Sequence, residues 1–407
     1  MEMGDPNFFT YYTSPAAAAP AAAPAAAPAS PPWPDDGAIH VAWTACGNPN
    51  EEDVDHFGLI GIKSLLMSRA LSPAARARRY VLHVFTNVGL EELLNTTRVN
   101  FDVSRLVAAD PLLELRVVHV DALDAAAARA LGSAGAAAAV PGTIFKHCAV
   151  ARAKLPFYFD RARGVRRLLY FDWDALLACD MAALWDAGFD APAWAPARAF
   201  FAAALNDPTR LSPHDSYRTA PARFPAPAAG GISTGALVWD FERFAARGAA
   251  FGRDVYWRAL AGVVAARVPN ASTADYWALT AAFPLGDQDI FNEALAAAPD
   301  WAAALAPAYN WCLADVLSPA EFAASGLARP NPVCVHHLCG SRTRSDAMLS
   351  PGAARPDPGL ALLAFYRAAD AGLPPAPVPG FVDQAALYLQ RIAEEERREA
   401  EAARAAA

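Results

Sequence analysis

The apolar run Leu168-Leu169-Tyr170-Phe171 ends on Asp172 and Asp174 and continues into a further apolar element, giving "LLYFDWDALLACDMAALWD" over residues 168–186. Four consecutive apolar residues without polar alternation read as a strand buried on both faces. Such a strand needs a sheet covered on both sides, which narrows the fold to a layered α/β arrangement. Side chains alternate along a strand, so Asp172 and Asp174 point to one side. Like carboxylates side by side repel, and one must take a proton unless a cation lies between them. A core strand therefore ends on a pair of acids that calls for a cation.

The chain around this strand has the matching rhythm. "IHVAWTA" from Ile39 reads as a strand, followed by "CGNPN" and a helical stretch through "FGLIGIKSLLMSRAL". "YVLHVFTNV" and "LELRVVHVDA" read as further strands, "KHCAVARAKLPFYFD" as a helix, and "VRRLLYFDWD" as the next strand. Strands alternating with helices predict a mostly parallel sheet with helices on both faces. Ligands of such sheets bind outside the carboxyl ends of the strands, where Asp172, Asp174 and "TACGN" fall. No GxGxxG and no GxxxxGK[ST] occurs, so neither a dinucleotide fold nor a P-loop is supported. Past Asp186 the Pro-rich stretch 190–228 reads as mostly loop. "GGISTGALVWDFERF" reads as a Gly-hinged strand leading into a helix. "FPLGDQDIFNEAL" places Asp287, Gln288 and Asp289 at a turn that opens a helix, where Asp289 also suits an N-cap. "NPVCVHHLCGSRTRSD" reads as a strand that delivers His336 and His337 into a Gly/Ser/Arg loop.

The remaining segments set bounds. Residues 1–36 alternate Ala runs with Pro, which breaks each possible helix, and are expected to be a disordered, semi-extended tract. The start "MEMGD" is acidic and the Ala runs are cut by Pro, so no signal peptide is read. No run of about 18 uninterrupted apolar residues is visible, so no membrane span is expected. Residues 37–370 form the expected catalytic domain, and residues 371–407 a Pro linker with a charged C-terminal helix. The net charge of -8 argues against non-specific nucleic-acid binding. The six cysteines form no CxxC pair, which argues against structural zinc. They are expected to be buried free thiols, with a Cys312–Cys334 bridge as the alternative in a secreted chain. "NTT" at Asn95 and "NAS" at Asn270 are glycosylation acceptor patterns.

Two carboxylates and a late imidazole make a hard, oxygen-rich site suited to Mn²⁺ or Mg²⁺, ions commonly held by few protein ligands together with substrate phosphates. Arg152, Arg342 and Arg344 are the guanidinium candidates for phosphate oxygens. The parts point to an enzyme that uses a diphosphate-activated donor. "FDWDALL" also resembles the aspartyl-nucleophile motif of haloacid-dehalogenase-like phosphatases. That motif opens its domain, whereas several strands precede this one.

In order along the chain, "VAWTACGN", "IKSLL", "IFKHCAVARAKLP", "LLYFDWDALLACDMAALWD", "GGISTGALVWDFERF", "LGDQDIFN", "YNW" and "VHHLCG" resemble the segments of glycosyltransferase family 8, most closely the glucoside xylosyltransferases. The resemblance implies a GT-A fold, a Rossmann-like nucleotide-diphospho-sugar transferase domain. It implies retaining transfer from a UDP-sugar, xylose favoured, to a glycan or glycoprotein acceptor such as O-linked glucose. A UDP-glucose- or UDP-galactose-using relative and an inactive sugar-binding relative are the alternatives. By matching positions, Asp172, Asp174 and His337 hold Mn²⁺ (or Mg²⁺). Thr44, Ala45, Cys46, Asn48, Arg152, Asp172, Trp173, Ser233, Thr234, Gly340 and Arg342 meet the donor. Asp287, Gln288 and Arg152 serve the chemistry at the sugar. Two phrases depart from the family: Ser233 stands where it has Asn, and no Lys-Pro-Trp follows His337. The resemblance also implies the secretory pathway or Golgi lumen, although no anchor is visible in this chain.

Overall fold

The computed structural model describes residues 33–45, 60–71, 73–87, 107–108, 110–136, 150–172, 175–177, 179–190, 199–205, 232–269, 282–283, 286–305, 309–312 and 334–337. The Ala/Pro tract, both glycosylation patterns, Cys46, Asn48, Cys148, Trp173, Asp174, Gly340, Arg342, Arg344 and the C-terminal helix lie outside these residues.

Seven strands make the main sheet, in the order β3-β2-β1-β4-β7-β6-β8. They are β1 (Ile39–Ala45), β2 (Tyr80–Thr86), β3 (Leu113–His119), β4 (Arg167–Asp172), β6 (Phe201–Leu205), β7 (Ile232–Asp240) and β8 (Ala302–Leu305). β1, β2, β3 and β4 run parallel, as do β6 and β8, and β7 is antiparallel to both of its neighbours. A three-stranded sheet, β5-β10-β9, is built from β5 (Ala175–Leu177), β10 (Val335–His337) and β9 (Trp311–Cys312). The architecture is a Rossmann-like α/β sheet with helices, the form expected of the GT-A class.

Both faces of the central strands are dry. On one, Ile39, Val41 and Trp43 of β1, Leu169 and Phe171 of β4, and Ala236 and Val238 of β7 pack with Ile62 and Leu65 of the helix Ile60–Leu71 and with Met181 and Leu184 of the helix Met181–Asp190. Gly61 permits that close packing, because a Cβ there would lie 2.8 Å from Nε1 of Trp43. On the other face, His83, Phe85, Phe201 and Trp239 meet an aromatic layer that includes Phe159, Phe241 and Phe291. Burying each large apolar side chain contributes about 1.5–3 kcal/mol. The reading of residues 168–171 as a doubly covered strand therefore holds, and Thr44, Tyr170 and Asp172 continue the aromatic face toward the carboxyl edge by alternation.

Two expectations need correction. β6, "FAAAL", sits inside the stretch read as loop. Alanine is depleted in strands and gives no β-branched signal, yet Ala202, Ala203 and Ala204 are completely buried between neighbours. The cysteines are not all free thiols, nor is Cys334 bridged to Cys312: Cys179 and Cys334 form a disulfide that ties the segment after β5 to the start of β10. The sheet is mostly parallel as expected, and the strand β7 within "GGISTGALVW" inserts antiparallel beside β4. Among the described residues no helix is long and apolar enough to cross a membrane.

Candidate active site

The reversed direction of β7 builds the site. Phe171 of β4 pairs with Ala236, so the amino end of β7 lies at the same edge as the carboxyl ends of β1 and β4. The β6–β7 register also breaks there: Ala203 pairs with Leu237, and the next pair is Ala204 with Ser233. Residues 234–236 are thus unmatched by β6, and a bulge of this kind leaves backbone polar groups that need other partners. Those of Thr234 find two side chains. Its N–H donates to Oε1 of Gln288 (3.1 Å), and its carbonyl accepts from Nη1 of Arg152.

Arg152 comes from the helix Ala151–Tyr158 and is 6 % exposed. Its Nη2 lies 2.9 Å from Oδ1 of Asp172, and its Nε lies 2.7 Å from Oδ2 of Asp287, with the guanidinium 5.2 Å from the ring centre of Tyr170. Tyr170 in turn shares a 2.7 Å hydrogen bond with Oγ1 of Thr44 and donates to Oδ1 of Asp172 at 3.3 Å. The cation that the acids at the strand end call for is thus, in part, the protein's own: Arg152 bridges Asp172 to Asp287. Oδ2 of Asp287 is close to Nε without an aligned hydrogen bond. Burial pushes its carboxyl up to about 7, with Arg152 pulling the other way and Asp172 adding to the rise. For Arg152, burial opposes the charge, and Asp172 and Asp287 outweigh it, so the guanidinium stays charged. Burial holds the Tyr170 phenol well above its usual value.

Asp287 and Gln288 open the helix Asp287–Ala297. The residue before it, Gly286, makes no side-chain cap, so Asp289 is not an N-cap. Both acids lie in the first turn, where the helix dipole favours negative charge. Asn292, five residues beyond Asp287, anchors this helix. Its amide accepts from the N–H of Ile232 (2.6 Å) and donates to the Ile232 carbonyl (3.0 Å), acting as a one-residue strand partner for β7.

His337 arrives from the second sheet. Its Nε2 is 3.6 Å from Oδ2 of Asp172, and its Nδ1 is 3.1 Å from Oδ1 of Asn310. The imidazole lies over Gly235, where a Cβ would sit 2.2 Å from Cε1. Gly235 is therefore the gap that admits the ring. Among the described residues no three His, Cys, Asp or Glu side chains gather as a metal set, and Asp174 lies outside them. The two expected ligands that are described fit a shared hard cation. They face each other at 3.6 Å, near the roughly 3 Å between neighbouring donors that metal–oxygen bonds of about 2.1 Å allow.

Of the predicted residues, Thr44, Arg152, Asp172, Ser233, Thr234, Asp287, Gln288 and His337 converge on this edge. Ala45 ends β1 beside Thr86. Sequence reasoning gave no role to Tyr170, Asn292 and Asn310. Tyr170 carried a usable signal, since it stands two residues before Asp172 and so shares its face.

No family model matches the chain, and no curated protein matches it. Among solved structures, mouse xyloside xylosyltransferase 1 in its apo form is similar, with a TM-score of 0.46, 14% identity, and coverage of 74% of this chain and 97% of that one. The galactosyltransferase LgtC with donor and acceptor sugar analogues gives a TM-score of 0.46, 13% identity, and coverage of 83% and 98%. The bifunctional glycosyltransferase WbbM gives 0.44 and 16%, with coverage of 75% and 46%. Likenesses this distant assign no activity, which rests on the chemistry of the site.

Proposed function

We propose that residues 37–370 are a metal-dependent, retaining glycosyltransferase domain that takes a sugar, xylose favoured, from a UDP-sugar to a glycan or glycoprotein acceptor such as O-linked glucose. One observation carries the reading: Asp172 and His337 face each other at the carboxyl edge of an α/β sheet, with Asp287 and Gln288 beside them through Arg152 and Thr234. Asp172, Asp174 and His337 would hold Mn²⁺ or Mg²⁺, which when bound offsets charge on the departing diphosphate. Arg152 fixes the orientation of Asp172 beside Asp287. Thr44 and Tyr170 line the approach from β1, where the resemblance puts the nucleotide. Cys46, Asn48, Trp173, Gly340 and Arg342 are proposed for the donor on the resemblance alone.

Gln288 uses its carbonyl oxygen on the Thr234 N–H, which leaves its NH₂ group to meet a sugar oxygen. A carboxamide is a poor nucleophile. We therefore favour front-face attack: the acceptor oxygen bonds to the anomeric carbon, the bond to the diphosphate breaks, and the departing phosphate takes the acceptor proton. The disulfide fits an oxidising compartment and supports a secretory setting.

The deciding assay is UDP release from a panel of UDP-sugars with and without Mn²⁺. Metal-dependent release with one preferred donor is expected, falling by a hundredfold or more in Asp172→Asn, about the effect of losing one preorganised polar group. Release that ignores both the metal and Asp172→Asn would overturn the reading.

A further inference from the structure

A hydrogen-bonded chain runs away from the catalytic edge through Asn310, which stands in the "YNW" phrase and has no part in the proposed chemistry. Asn310 is 6 % exposed. Its Nδ2 lies 2.7 Å from Oγ of Ser233 and 3.3 Å from the Ser233 carbonyl oxygen, and its Oδ1 lies 3.1 Å from Nδ1 of His337. The backbone carbonyl can only accept, so the amide nitrogen must face Ser233. The amide oxygen must then face His337. An amide oxygen can only accept, so Nδ1 of His337 carries the proton. In the neutral imidazole the lone pair is left on Nε2, the nitrogen that faces Asp172. Gly235 holds the ring in this pose by the absence of a side chain.

We infer that Asn310 is a positioning residue that selects the Nδ1–H tautomer of His337 and so aims the Nε2 lone pair at a divalent cation shared with Asp172. The inference rests on the proposed metal-dependent reading and deepens it. It also gives the departure at Ser233 a function: the serine holds Asn310 in its productive flip. Metal-bound histidines are commonly oriented by such a partner on the other ring nitrogen, and losing that partner typically weakens metal affinity by about 10- to 100-fold.

Two measurements on the full chain test this. In metal-free protein, ¹⁵N shifts of labelled histidine, assigned with His337→Ala, should show His337 protonated at Nδ1. In Asn310→Leu the tautomer should shift toward Nε2–H. Mn²⁺ titrations in the presence of UDP, read by paramagnetic resonance of the free ion, should then show weakening of about 10- to 100-fold in Asn310→Leu. Asn310→Asp keeps the acceptor for Nδ1–H and should bind Mn²⁺ at least as well as wild type. Ser233→Ala, which removes the hydroxyl anchor with little change in bulk, should weaken binding by less than Asn310→Leu and remains readable if the leucine variant does not fold. If Asn310→Asp binds as poorly as Asn310→Leu, or His337 is protonated at Nε2 in the wild type, the positioning role is overturned and the metal reading survives. A wild-type chain that binds no Mn²⁺ with UDP overturns both.

Discussion

Arg152 carries one positive charge between two carboxylates, and that imbalance falls on Asp287. Asp172 keeps partial solvent access at 17 % of its side chain, while Asp287 keeps 5 %. The buried acid bears the larger desolvation penalty and is pushed up to about 7, against about 3.9 for an unfolded aspartate. Between these values the folded chain holds a proton that the unfolded chain has released. The stability that Asp287 contributes is therefore present below about pH 4 and is lost as pH rises toward 7. In Asp287→Asn this pH dependence disappears. Melting midpoints of wild type minus variant, measured metal-free at pH 5 and pH 8, should fall across the interval. A difference that does not change would mean that Arg152 keeps Asp287 ionised throughout.

The meeting of β7 and β10 is a fit of shape as well as charge. A methyl group at residue 235 would lie 2.2–3.0 Å from three atoms of the His337 ring, well inside van der Waals contact, so the ring must move. Gly235→Ala should lower stability by about 1–3 kcal/mol, the usual cost of overpacking. In a His337→Ala background the same change should cost little, giving a double-mutant coupling of similar size. Chemical denaturation of the four proteins measures it, and additive effects would show that His337 does not rest on Gly235 in solution.

This pair also marks where legibility ends. Strands β1, β2 and β4 can be read because their apolar runs are doubly buried, and the acids could be placed at strand ends by alternation alone. The contact between Gly235 and His337 joins residues of different sheets, and no local period encodes it. "ISTGALVW" reads as a strand in either direction, so the antiparallel insertion that brings Ser233 to the site was hidden. Asn310 and Asn292 act through partners 77 and 60 residues away, which only the folded chain brings near. The Cys179–Cys334 pair, 155 residues apart, was illegible for the same reason. Gly286 takes the N-cap position, which puts Asp289 inside the first turn, and the sequence alone did not fix whether the helix starts before or after the acids.

The site exists only when the stretches between Thr44 and His337 are folded together. Thr44, Arg152, Asp172, Ser233, Asp287, Asn310 and His337 come from seven separate stretches, so a ligand that uses them binds the native state and not the unfolded one. Binding of that kind stabilises by mass action, about 2.7 kcal/mol at a hundred times the dissociation constant. For a domain of this size that raises the melting midpoint by roughly 4 °C. Neither half of the ligand should do this alone. UDP brings phosphate charge toward Asp172 and needs a cation, and Mn²⁺ without UDP lacks the phosphate oxygens that complete its shell. The expected pattern is a large shift with UDP and Mn²⁺ together, small shifts with either alone, and none with both in Asp172→Asn. His83 supplies the control. It is buried among Phe85 and Phe159, holds Nδ1 of His40 at 3.0 Å, and burial keeps its imidazole neutral. His83→Gln should therefore lower the midpoint with and without ligand while leaving the shift intact. A shift that persists in Asp172→Asn, or that UDP produces in full without metal, would place the nucleotide somewhere other than this edge of the sheet.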